Sequence, residues 1–80
     1  MRYTVVMIPD EDVGGFTAFV PAIPGCVTQG ETVEETLARA QDAASALLAD
    51  YAETGEDIPT ESVRTIVTTV EIDVSRAVVL

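Results

Sequence analysis

The stretch Val20-Pro21-Ala22-Ile23-Pro24-Gly25-Cys26-Val27-Thr28-Gln29-Gly30-Glu31-Thr32-Val33-Glu34-Glu35 decides the fold. Two prolines and a glycine within six residues break an extended run, because proline fixes φ and has no amide proton to donate to a sheet. Cys26-Val27-Thr28-Gln29 resumes as a short strand and stops at Gly30. Thr32 is then a good helix N-cap. Glu35, three residues on, completes a capping box that satisfies two otherwise free backbone donors. Glu31, Glu34 and Glu35 place negative charge at the positive end of the helix dipole. Apolar residues recur at Val33, Leu37, Ala40, Ala44, Leu47, Leu48 and Tyr51, the three-four spacing of one buried stripe. Gly55 is the expected C-terminal stop, and Pro59 comes after the break. The spacing therefore predicts a helix from about Val33 to about Thr54.

Upstream of this stretch, residues 3–8 form an aromatic and β-branched run that ends at Pro9 and predict a first strand. Asp10-Glu11-Asp12-Val13-Gly14-Gly15 reads as a turn, and residues 16–20 as a second strand, with Phe16, Ala18 and Val20 on one face. A connection this short makes an antiparallel hairpin. Downstream, residues 63–74 predict a last strand. It is strongest at Val70-Glu71-Ile72-Asp73-Val74, where apolar and acidic residues alternate. Residues 77–80 are a short apolar tail, a fragment of edge strand or a piece that docks on another subunit. The expected fold class is α+β. It is one β-β-β-α-β domain over residues 1–74 with a tail over 75–80, an antiparallel three- to four-stranded sheet with one helix packed on one face.

Eighty residues allow one domain with a thin core. Chains of this size often gain stability by self-association. Four arginines face fourteen carboxylates, with no lysine and no histidine, for a net charge of −10. That balance argues against direct nucleic-acid binding, which needs clustered cations to displace counterions. It argues equally against an anionic membrane surface. It suits a basic partner, whose encounter it would speed. The single cysteine, Cys26, precludes an intrachain disulfide and fits a reducing, cytoplasmic setting. The N-terminus lacks a signal-peptide pattern, and no apolar run approaches the ~18 residues of a membrane span.

Candidate chemistry is sparse. Without histidine, Cys26 and the serines lack the usual activating base. Cys26 reads as a small buried hydrophobe. One cysteine and no histidine cannot close a zinc shell. Asp10, Glu11 and Asp12 cluster, but their spacing does not match a calcium loop, and the simple reading is a solvated turn. No catalytic residue, cofactor or metal site is expected, and the chain is not expected to be an enzyme.

Taken in order, Tyr3-Thr4-Val5-Val6, the Asp10-Glu11-Asp12 turn, Gly14-Gly15-Phe16-Thr17-Ala18, the Val20 to Gly30 stretch and Thr32-Val33-Glu34-Glu35 resemble the HicB-like antitoxin domain. The resemblance implies a reduced ribonuclease H-like fold without that enzyme's activity. It implies a small basic HicA-type toxin as partner, a protein that cleaves messenger RNA, and assembly into dimers or tetramers. Full-length members carry a C-terminal DNA-binding segment, for which residues 75–80 are too short. The expected function is therefore that of an antitoxin in a type II toxin–antitoxin system, binding and neutralising that toxin. The alternative is a stand-alone oligomeric module of this family with neither a toxin partner nor DNA-binding activity. Two surfaces are candidates for the partner: the rigid turn with Pro21, Ile23, Pro24 and Gly25, and the acidic helix end with Asp50, Glu53, Glu56 and Asp57.

Overall fold

The structure is a computed structural model that describes residues 1–77. Three strands, β1 (Val6–Pro9), β2 (Phe16–Phe19) and β3 (Val27–Gly30), precede one long helix, α1 (Val33–Thr54), and a single helical turn, α2 (Val74–Ala77). The strands form one antiparallel meander in the order β1-β2-β3. Val6 faces Phe19 across the first pair, and Phe16 faces Gly30 across the second.

Local chemistry closes each connection. In the hairpin loop the Asp10 carboxylate accepts the amides of Asp12 at 3.0 Å and Val13 at 3.2 Å, folding the acidic run onto itself. The Asp10 amide donates to the Gly15 carbonyl at 3.0 Å, which joins the two strand ends. At the start of α1 the Thr32 hydroxyl accepts the Glu35 amide at 3.1 Å, one half of the expected capping box, while the Glu35 carboxylate pairs with Arg39 instead of returning to the Thr32 amide. At its end Gly55 adopts a left-handed φ of 76°. The Glu56 amide there reaches the Tyr51 carbonyl at 3.0 Å, and the two together complete a left-handed C-terminal cap. The predicted helix bounds match the observed ones.

α1 leaves the sheet at the end of β3 and returns along it, packing on β3 and β2. The closest approach is at Gly30. A Cβ there would lie 2.8 Å from the Thr36 Cα, so only glycine lets the first turn of α1 sit this near the sheet. Thr36 is consequently sealed at 0 % exposure, and its hydroxyl donates to the Thr32 carbonyl at 2.6 Å. The core proper is Val20, Ile23 and Cys26, against which Tyr3, Val5, Ala43, Ala44, Leu47 and Leu48 pack. Ala18 and Ala40 are buried beside it. Small residues on both layers keep helix and sheet close, which suits a thin core.

Two expectations need correction. Residues 63–73 are not a strand: they run outside the sheet with their apolar side chains in solvent. Alternation gives a chain strand potential, but a strand exists only where a ladder partner is found. None of the three strands is paired to this segment. Residue 74, expected to close that strand, begins α2 instead. The second correction concerns the helix stripe. Val33 and Leu37 are exposed, while Ala40, Ala44, Leu47, Leu48 and Tyr51 are buried or half-buried. At this end α1 turns Thr36 and Ala40 toward the sheet beside Gly30, which leaves Val33 and Leu37 on the uncovered side. The expected apolar tail is α2 at residue 77, and residues 78–80 lie outside the described residues.

Candidate functional site

The turn between β2 and β3 is built from backbone hydrogen bonds and one inward side chain. The Val20 amide donates to the Cys26 carbonyl at 3.0 Å, closing the base of the turn. Within it, the Ile23 amide donates to the Val20 carbonyl and the Cys26 amide to the Ile23 carbonyl, both at 3.1 Å. Ile23, at 1 % exposure, points into the core. Burying a side chain of this size contributes roughly 1.5–3 kcal/mol. Pro21, Pro24 and Gly25 lie on the exposed outer side. The turn is thus a plug with its isoleucine inward and its prolines outward. Of the four turn residues predicted for a partner surface, Ile23 supports the turn and does not itself face solvent.

Burial raises the Cys26 thiol pKa, against a smaller lowering from a backbone hydrogen bond with Val20. A buried, protonated thiol is a packing group and a poor nucleophile. Among the described residues, no three His, Cys, Asp or Glu side chains gather closely enough to hold a metal ion. No helix among them is long and apolar enough to cross a membrane.

The second half of α1, from Ala43 to Leu48, packs on the plug. At ~1.5 Å rise per residue, Asp50 and Glu53 stand ~5–9 Å further along the same helix than Leu47. The topology therefore brings the two candidate surfaces to one end of the molecule. Asp50, Glu53, Glu56 and Asp57 are all exposed there. The Thr54 hydroxyl lies 2.9 Å from a Glu56 carboxylate oxygen, to which it donates. No basic residue occupies the last turn of α1. The helix dipole already makes this end negative, and four carboxylates add to it. Among the described residues the one ion pair is Arg39 Nη2 to Glu35 Oε1 at 2.9 Å, an exposed pair near the start of the helix. The same guanidinium donates to the Gln29 carbonyl at 3.1 Å beside a small polar hollow of about 320 Å³. One carboxylate near the start of α1 is thus paired with an arginine, whereas the last turn has no basic residue to pair with any.

Two features of the structure escape a reading of the sequence. One is the burial of Thr36, for which the only signal is a glycine six residues before it. The other is an apolar groove of about 520 Å³ between the N-terminal residues and α1, lined by Tyr3, Val5, Leu37, Ala44 and Leu48 among others. Its visible sign is the exposure of Leu37, which the apolar spacing of α1 places on the buried stripe.

A three-stranded meander backed by one helix, with a rigid plug beside an acidic helix end, defines a small α+β module whose distinctive features are surfaces. The model of the HicB-like antitoxins of bacterial toxin–antitoxin systems matches residues 3–73, and the chain belongs to that family. It is 40% identical over 62 residues to the UPF0150 protein Ta0767 of Thermoplasma acidophilum, covering 78% of this chain and 88% of that one. It is 46% identical over 59 residues to antitoxin HicB 1 of Photorhabdus laumondii, covering 74% of this chain and 37% of that one. With antitoxin HicB of Escherichia coli K12 the identity is 42% over 62 residues, covering 78% and 44%. The chain therefore spans nearly all of one relative and less than half the length of the two named antitoxins.

Proposed function

We propose that this chain is an antitoxin that binds and neutralises a small basic, HicA-type toxin that cleaves messenger RNA. It does so in the cytoplasm, by contact alone and without catalysis of its own. The acidic end of α1 carries this reading: Asp50, Glu53, Glu56 and Asp57 share one exposed end with no basic residue in the last turn. Membership of an antitoxin family supports it. The family domain is taken as residues 1–74, with 75–80 as a tail. Pro21, Pro24 and Gly25 form the rigid neutral part of the contact surface, held in place by Ile23 from behind. The acidic residues attract the partner over a distance and set its orientation.

Affinity capture of the tagged full chain from its host at low ionic strength tests this. The expected result is a small basic protein in fixed ratio, released by salt, whose RNA cleavage the chain suppresses. The double variant Asp50→Lys, Glu53→Lys should slow association about ten-fold or more while leaving the helix folded. If the captured protein cleaves no RNA, or if cleavage continues in the complex, the reading fails.

A further inference from the structure

Residues 66–73 are built like a strand and pair with no strand among the described residues. Ile66, Thr68, Val70 and Ile72 fall on one face by the two-residue period of extended chain, and Val67, Thr69, Glu71 and Asp73 on the other. The first face is uncharged and apolar except for Thr68, yet Ile66 and Val70 are each 80 % exposed. The molecule measures 48 × 28 × 24 Å with a radius of gyration of 15.8 Å. A compact domain of this length has about 12 Å. The excess length is an arm, not a second core.

The same molecule has an open place for such an arm. Among the described residues β1 pairs only with β2, so its outer edge presents free amides and carbonyls. Beside it runs the 520 Å³ apolar groove between Tyr3 and Val5 on one side and Leu37, Ala44 and Leu48 on the other. A strand added at this edge would hydrogen-bond to β1 and lay every second side chain over α1. That is the spacing on which Ile66, Val70 and Ile72 repeat. Eight extended residues reach about 26 Å, more than the length of β1.

We infer that the arm of one chain occupies the β1 edge and groove of a second copy, and that the exchange is reciprocal. The chain's own arm is rooted at the start of that edge but directed off it. The Tyr3 hydroxyl donates to the Pro59 carbonyl at 2.6 Å, and the Thr4 hydroxyl to the Glu61 carboxylate at 2.7 Å. Immediately afterwards the Thr65 amide donates to the Ser62 carbonyl at 3.2 Å, a turn that leads the chain out into solvent. A second copy fits the chemistry where a basic partner does not. The groove and the apolar face of the arm carry no charge to recruit a cation, and a two-fold axis fills both grooves and covers both free edges at once. Two chains of −10 repel at long range, so this contact rests on short-range apolar and backbone interactions.

The test is the mass of the purified full chain by sedimentation equilibrium at micromolar concentration, in low and high salt. It needs no toxin, so its outcome is separate from that of the antitoxin reading. The expected result is a dimer that tightens with salt, the opposite sign to a complex with a basic toxin. Val70→Asp, in the arm, should raise the dimer dissociation constant about a hundred-fold or more, since it buries an unpaired carboxylate. Leu37→Glu, in the groove, should do the same from the other side. Both positions are exposed in the single chain, so circular dichroism should show the helix unchanged. A monomer at all salt concentrations overturns the inference, and amide protection of residues 66–72 in that monomer would show the arm closing on its own chain instead. A dimer that survives either substitution overturns it as well, because its interface then lies elsewhere.

Discussion

Residues 4–8 and residues 65–70 are made of the same material, Thr-Val-Val-Met-Ile and Thr-Ile-Val-Thr-Thr-Val. The first becomes most of a strand and the second does not. The difference lies in the chain downstream of each run. Past β1, the Asp10 loop delivers β2 back alongside it, with Val6 opposite Phe19. Among the described residues no segment returns alongside the arm, and the turn closed by the Thr65 amide on the Ser62 carbonyl leads it away from the sheet. β-branched residues make extended chain comfortable, but a ladder needs a second chain segment, and the loop that supplies it decides which run is used.

This contrast between a packed body and an unpaired arm can be broken by substitution. The largest effect is expected in the plug. Ile23→Ala removes a fully buried side chain between sheet and helix and should cost about 2–5 kcal/mol, read from the urea midpoint. A domain of this size has only ~4–12 kcal/mol in total, so the variant sits close to unfolding. A loss much below that range would mean that the plug is not where the body is held. An intermediate effect is expected at the helix start. Thr32→Ala leaves the Glu35 amide without its acceptor and should cost about 1 kcal/mol by the same measurement. The smallest effect is expected at the root of the arm. Val63 is 102 % exposed, and Val63→Ser should change stability by no more than about 0.5 kcal/mol. A cost at Val63 equal to that at Thr32 would erase the distinction between body and arm.

Helix α1 is legible to the residue because both its signals are local. Thr32 with Glu35 at one end and Gly55 at the other specify the bounds without reference to the rest of the chain. The hairpin is legible for the same reason, although β1 begins three residues later than the expected 3–8 and takes in Pro9. Thr36 is not, because its burial depends on the missing side chain of Gly30 in another element. The plug is half legible: two prolines and a glycine announce a rigid turn, but not that Ile23 would face inward while Pro24 faces out. The acidic residues at the end of α1 are visible as a cluster in sequence. Their neighbourhood with the plug comes from the return path of the helix along the sheet, which no local pattern states. The arm misleads because alternation records a preference of the chain and not the presence of a partner.

Cys26 gives the molecule a clock. It carries the only thiol in the chain and is shut inside the cluster with Val20 and Ile23. A thiol reagent in solution can react only while that cluster is open, so the labelling rate counts openings of the plug against α1. Where reclosing outruns the reagent, the rate gives the open fraction; where the reagent outruns reclosing, it gives the opening rate itself. Anything that settles on Pro21, Pro24 and the end of α1 and holds them shut should slow this one chemical event, with no tag or dye added to the chain.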